Sequence, residues 1–160
     1  MSSENLTSKG KITKKLDNKM QELSTSTILF HQEVAQKLNL IPTDHECLDI
    51  IMKSGKITAG ELSQTTGLTA GAITGVIDRL ERKGFVRREK DPSDRRKIVI
   101  LPNMEKALNE VAPIFASLGE SMEALYNQYS TEQLTLILDF VEKSIEIMGT
   151  ETEKLVEKSN

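Results

Sequence analysis

Apolar residues recur at helical spacing from about Ile12 to Leu40: Leu16, Met20, Leu23, Ile28, Leu29, Val34 and Leu38 return every few positions. This pattern predicts a long first helix, loosened around Ser24–Thr27 and stopped by Pro42. Residues 1–10 are polar and aperiodic and read as a frayed tail. Thr43 is expected to cap a second helix running to about Lys53, with Cys47, Leu48, Ile50 and Ile51 on its apolar face and Gly55 as its stop. Thr58-Ala59-Gly60-Glu61 has the form of a capping box and opens a short third helix that Gly67 closes. Thr69 is expected to cap a fourth helix, which runs to about Lys83 and stops at Gly84. Its Ile73, Val76, Ile77 and Leu80 form one buried stripe, leaving Gly71, Thr74, Gly75, Asp78 and Arg82 on the other face.

The period then changes. Phe85–Lys90 and Lys97–Leu101 read as two short strands around the breaker-rich turn Asp91-Pro92-Ser93-Asp94-Arg95-Arg96, which makes a β-hairpin with a charged tip. Pro102-Asn103 opens a long helix to about Tyr129, with a kink expected at Pro113. Ser130-Thr131-Glu132-Gln133 is a second capping box. It starts a last helix with Leu134, Ile137, Leu138, Val141, Ile145 and Met148 on one side. The order is four helices, a hairpin and two helices, a mainly α chain.

Composition narrows the class. Hydrophobic residues at 38% and charged residues at 28% suit a globular protein, and 4% aromatics with no Trp imply an aliphatic core. The formal charge is −3, which by itself speaks against nucleic acid. Its distribution does not: residues 79–97 hold nine basic and four acidic side chains, a basic patch on an acidic body. The lone Cys47 excludes an intrachain disulfide and reads as a small buried hydrophobe, not a redox switch. No apolar run is long enough for a membrane span, and no signal-peptide core precedes Asp17, so a cytoplasmic protein is expected. His45 and Cys47 lie two residues apart on a helix and point away from each other, so no metal site is expected. Phosphate-loop, dinucleotide-binding, nucleophile-elbow and zinc-protease motifs are all missing, so neither an enzyme nor a cofactor is expected.

Two short capped helices, a glycine-containing turn and a basic hairpin in direct succession form a winged helix-turn-helix pattern. The second helix of such a pair fits the major groove, and its free N–H groups and dipole favour phosphates. The runs Ile57-Thr58-Ala59-Gly60-Glu61-Leu62, Gly67-Leu68-Thr69, Val76 to Val86 and Asp91-Pro92-Ser93-Asp94-Arg95-Arg96 together resemble the MarR family of regulators. The close match covers roughly residues 57–101.

The resemblance implies a winged helix-turn-helix of six helices and a two-stranded wing, assembled as a triangular homodimer on a palindromic operator. The first, fifth and sixth helices would form the dimer interface. The chain then divides into a tail (1–10), an N-terminal dimerisation helix (11–42), a DNA-binding domain (43–102) and C-terminal dimerisation helices (103–160). It also implies a repressor that responds to a small phenolic or aromatic effector, held between the winged lobe and the dimer helices. In such proteins a wing-tip arginine enters the minor groove and an aspartate orients it; by position these are Arg96 and Asp94, with Arg95 beside them. The other DNA-contacting candidates are Thr69, Ala70, Gly71, Thr74, Gly75, Arg79 and Arg88. Arg82, Lys83 and Arg87 are expected at phosphates or in ion pairs.

This chain departs from the family's commonest pattern at Gly71 and Gly75, where many members carry a serine and an arginine. Two glycines on one exposed helical face cost about 1 kcal/mol each against alanine. Close approach of the backbone to DNA, with Thr74 as base reader, is one reason for them; local packing is the other. If DNA reading has been lost with those side chains, the alternative function is a winged-helix protein-interaction module.

Overall fold

The computed structural model describes residues 7–94 and 96–157. Its elements run α1 (Ser8–Lys37), α2 (Pro42–Ser54), β1 (Ile57–Thr58), α3 (Ala59–Thr66), α4 (Ala70–Arg82), β2 (Val86–Lys90) and β3 (Ile98–Pro102). They continue with α5 (Met104–Lys106), a π-helical turn (Ala107–Val111), α6 (Ala112–Tyr126) and α7 (Thr131–Glu157). Since α5, the π turn and α6 run on without a break, the described residues make six helical segments and one small sheet, the mainly α winged-helix architecture expected. The chain divides into two compact units, one up to Ile114 and one from Phe115.

Local chemistry sets the helix boundaries, with four differences from the pattern-based expectation. First, α1 starts at Ser8, capped by the Thr7 hydroxyl, which accepts from the Gly10 N–H; residues 8–10 are helix and not tail. Second, α1 does not loosen at Ser24–Thr27. Thr25 and Thr27 turn their hydroxyls back onto the Gln21 and Leu23 carbonyls and stay in register. Third, Ile41 and not Thr43 occupies the N-cap of α2, because Pro42 takes the first helical position, where its missing N–H costs nothing. Fourth, the π turn lies just before Pro113, so the ladder widens there instead of breaking.

The wing is larger than the hairpin predicted: the sheet has three strands in the order β1-β3-β2. Ile57 and Thr58 pair antiparallel with Ile100 and Val99, while Val86 to Lys90 pair with Pro102 to Ile98. A two-residue strand has too few positions to display an alternating pattern. Its existence depends on β3 offering a free edge about 40 residues later in the chain.

In the first unit, Val34, Ala35, Cys47, Leu48, Ile51, Leu62, Phe85, Val86, Val99 and Ile100 close around the α4 stripe of Ile73, Val76, Ile77 and Leu80. Every member of that stripe is buried. Asn103 ties the sheet to the helix that follows it. Its amide donates to the Gly84 carbonyl at 3.0 Å, its side-chain carbonyl caps the Lys106 N–H, and its own N–H bonds the Phe85 carbonyl. In the second unit, the Ser130 capping box is formed with Gln133. Along α7, Leu136, Ile137, Leu138, Phe140, Val141, Ile145, Ile147 and Met148 are exposed. The α1 helix of the first unit likewise exposes Ile12, Leu16, Leu23, Ile28 and Leu29.

Where α1 meets α2, the His31 and His45 rings lie 5.3 Å apart. Burial lowers the proton affinity of His45, His31 lowers it further, and Asp49 opposes both. The unfolded chain therefore takes up this proton before the native one does. The stability associated with neutral His45 is complete above the ordinary histidine range and is lost as pH falls below it. The urea midpoint is expected to drop between about pH 7.5 and 5.5, and to drop less in His45→Gln. Identical pH dependence in the two proteins would remove His45 as the cause.

Candidate nucleic-acid interface

The helix pair is assembled by short-range bonds. The capping box of α3 is complete: the Thr58 hydroxyl accepts from the Glu61 N–H and the Glu61 carboxylate accepts from the Thr58 N–H. Hydrogen bonds donated by the Thr58 N–H and by its hydroxyl hold the Glu61 carboxyl below its usual range. The α3–α4 turn passes through Gly67 at φ 70°, and the Ser63 hydroxyl donates to the Leu68 carbonyl at 2.6 Å. As expected, Thr69 then caps α4 by accepting from the Ala72 N–H.

Thr69, Ala70, Gly71 and Thr74 are exposed on the first turns of α4, and Gly75 is half-buried. The Thr74 hydroxyl donates to the Ala70 carbonyl at 2.9 Å. Its proton is thus committed to the helix, leaving a methyl group and an accepting oxygen.

The basic residues separate into two groups. Arg79 is engaged within the protein. Its Nε and Nη2 donate to Asp44 at 2.8 and 2.6 Å, and Asp44 is buried at the start of α2. The hydrogen bonds to Asp44 raise the proton affinity of the guanidinium. Arg88 is likewise engaged, bridging Asp78 and Glu81 of α4 to β2. Arg87 pairs with Glu89, and Lys83 donates to the Asn39 carbonyl at the end of α1. Arg82, Lys90 and Lys97 are exposed.

At the wing tip Arg96 is 91% exposed, and its Nε lies 3.1 Å from Asp94, which also accepts the Arg96 N–H. Arg95 lies outside the described residues. The base of the wing is pinned by Asp91, which accepts from the Ser93 hydroxyl and N–H and pairs with Lys56 at 3.3 Å. Those bonds hold its carboxyl far below the usual range.

Asp44 and Asp91 escaped the sequence reading. Asp91 had a local signal, an Asp-Pro-Ser turn. Asp44 had none, because its partner is 35 residues away.

The two glycines differ. A Cβ on Gly71 would meet nothing within 4 Å, so packing within the protein does not require this glycine. A Cβ on Gly75 would sit 3.2 Å from Nη1 of Arg79, so Gly75 clears the lane through which Arg79 reaches Asp44. Local packing thus bears on Gly75, whereas among the described residues nothing packs against the position above Gly71.

Cys47 is fully buried on α2. Burial foremost, with Glu46 and Asp44 adding to it, pushes its thiol up to about 11, the behaviour of a packed hydrophobe and not of a reactive thiolate. Among the described residues no group of three or more His, Cys, Asp or Glu side chains could hold a metal ion. No helix among them is long and apolar enough to cross a membrane.

Helix pair, turn and three-stranded wing define a winged helix-turn-helix DNA-binding protein. Residues 40–98 match the model of the MarR family. The chain is 46% identical over 135 residues to the uncharacterized HTH-type transcriptional regulator YcgE of Bacillus subtilis (strain 168), covering 84% of this chain and 87% of that one. It is 24% identical over 107 residues to the HTH-type transcriptional regulator MhqR of the same organism, covering 67% and 73%. A MarR family protein from Bacillus stearothermophilus has the same fold, with a TM-score of 0.66 at 19% identity over 87% of this chain and 96% of that one. The transcriptional regulator Tm0710 from Thermotoga maritima matches with a TM-score of 0.60 at 21% identity, over 88% and 98%. This chain belongs to the MarR family and is a helix-turn-helix transcriptional regulator. These relatives are regulators and not enzymes, and they do not favour the interaction-module alternative.

The unequal glycines make a stability test. Gly71→Ala is expected to stabilise the protein by about 1 kcal/mol in urea unfolding. Gly75→Ala should gain clearly less, because its methyl presses on the Arg79 guanidinium. Equal gains would show that the Arg79 lane has no energetic weight.

Proposed function

We propose that this protein is a cytoplasmic repressor that occupies a palindromic operator as a homodimer. Each protomer would lay the first turns of α4 in a major groove and Arg96 in the neighbouring minor groove. The observation that carries this reading is Arg96 itself: a guanidinium almost wholly in water, aimed by Asp94 from the tip of a wing whose base is pinned. An exposed arginine of this kind suits the concentrated negative potential of a narrow A·T-rich minor groove. Thr69, Ala70, Gly71, Thr74 and Gly75 would face base edges, and Arg95 would join Arg96 at the backbone. Arg79 and Arg88 would act by holding α4 in place, in contrast to the direct role at DNA expected from sequence.

The apolar surfaces of α1 and α7 support the dimer. Side chains such as Ile145 at 67% and Met148 at 69% exposure, repeated along a 27-residue helix, require cover. Two wings on one dimer would meet half-sites about one helical turn apart.

A cavity of about 340 Å³ between α1 and α2, lined by Ile28, His31, Pro42, His45, Glu46 and Asp49, suits a small phenolic or aromatic effector. A ligand preferring one spacing of the two lobes would shift the dimer away from the form that fits DNA.

Anisotropy titrations against the promoter region of its own gene test the reading. Saturable, sequence-dependent binding by a dimer is expected. Operator affinity should be at least tenfold weaker in Arg96→Ala, and the salt slope should be smaller by about 1 for each phosphate no longer neutralised. Sedimentation should give a dimer, and phenol should release the DNA at concentrations that leave the His31→Ala variant bound. Sequence-independent binding, or a monomer at micromolar concentration, would refute it.

A further inference from the structure

The cavity between α1 and α2 has a one-sided polar lining. Glu46 and Asp49 stand one turn apart on α2 and bring two carboxylates to it. The Thr27 hydroxyl gives its proton to the Leu23 carbonyl at 2.9 Å, so it offers a ligand only an accepting oxygen. The Gln32 amide can donate or accept. Among the described residues neither Lys nor Arg lines the cavity. Ile28 and Pro42 supply an apolar wall.

His45 adds a buried group in want of a partner. It is only 5% exposed, yet among the described residues nothing hydrogen-bonds its imidazole, and it lines the cavity. A polar ring taken out of water without a partner costs free energy, and the cavity is the side from which a partner can come. Burial, and after it His31, lowers the proton affinity of His45, so its ring is neutral around pH 7 and can accept from an N–H or O–H. Asp49 acts on the same ring in the opposite sense. Its charge is therefore felt in the cavity even though Lys53 pairs with it at 2.6 Å, because that lysine is 75% exposed and water screens the pair. An anion would be repelled by this lining, and a neutral ligand would leave the carboxylates unused.

Resting on the reading of this cavity as the effector site, we propose that the effector is a small aromatic amine bound as its ammonium ion, with the ring against Ile28 and Pro42, the ammonium at Glu46 and Asp49, and His45 accepting a hydrogen bond. Aromatic carboxylates are turned away by the same charges.

The test is calorimetric titration of the full chain at about pH 7.5 with three probes that share one phenol ring. Tyramine is a cation, tyrosol is its neutral alcohol counterpart, and 4-hydroxyphenylacetate is an anion. Tyramine should bind about tenfold tighter than tyrosol, and 4-hydroxyphenylacetate more weakly than either. The tyramine margin should shrink as salt is added. In the double variant Glu46→Gln with Asp49→Asn, its fold checked by circular dichroism, tyramine should drop to the affinity of tyrosol. Glu46→Gln alone, at an exposed position, should reduce the margin about threefold. Equal affinities, a preference for the anion, or a tyramine margin that survives both substitutions would overturn this inference and leave the effector cavity standing. No binding of any of the three probes would overturn the cavity as the effector site, and this inference with it.

Discussion

The first compact unit is organised around one ion pair, Asp44 with Arg79. A carboxylate that is 2% exposed needs an opposite charge, and the fork of a guanidinium supplies two parallel bonds. Removing one member of such a pair leaves a stranded charge, which generally costs about 3–5 kcal/mol when both are buried and less as exposure rises. Here Arg79 is 40% exposed and Asp44 is not, so the constraint falls mostly on the carboxylate. The consequence is geometric. The start of α2 and the third turn of α4 are held in one register, and the hydrophobic stripe of α4 is presented to the core at a single angle. Gly75 belongs to the same device, since a side chain there would crowd the arginine.

The basic segment is accordingly divided between architecture and the surface. Arg79, Lys83 and Arg88 join elements to one another: α4 to α2, α4 to the end of α1, and β2 to α4. Arg82, Lys97 and Arg96 remain turned to water. The division follows from distance to acidic partners more than from position along the chain. Arg79 and Arg88 find carboxylates on neighbouring elements, whereas the partner of Arg96 at the wing tip is Asp94, two residues away. A pair so close in sequence restricts the direction of the guanidinium without removing it from solvent.

The two compact units treat apolar surface in opposite ways. Around α4 every residue of the stripe is enclosed by the chain's own elements, and this unit closes with an aliphatic core. In α7 comparable residues at the same spacing stay in contact with water. Periodicity thus marks a face that wants cover, but it does not tell whether the same chain provides it.

Much of the fold was legible in the sequence because it is written in local bonds. The box at Thr58 and Glu61, the cap at Thr69, the glycine stops and the stripe from Ile73 to Leu80 are satisfied within a few residues, and each was found where the pattern put it. Pairing across distance was not legible. The strand at Ile57–Thr58 exists only because β3 returns beside it, and the pairing of Arg79 with Asp44, 35 residues earlier, left no mark in the sequence. The family pattern could name the wing-tip residues. Only the packed chain decided which arginines are spent on holding the helices together, because charge pairing depends on separation in space, and the fold alone sets that separation.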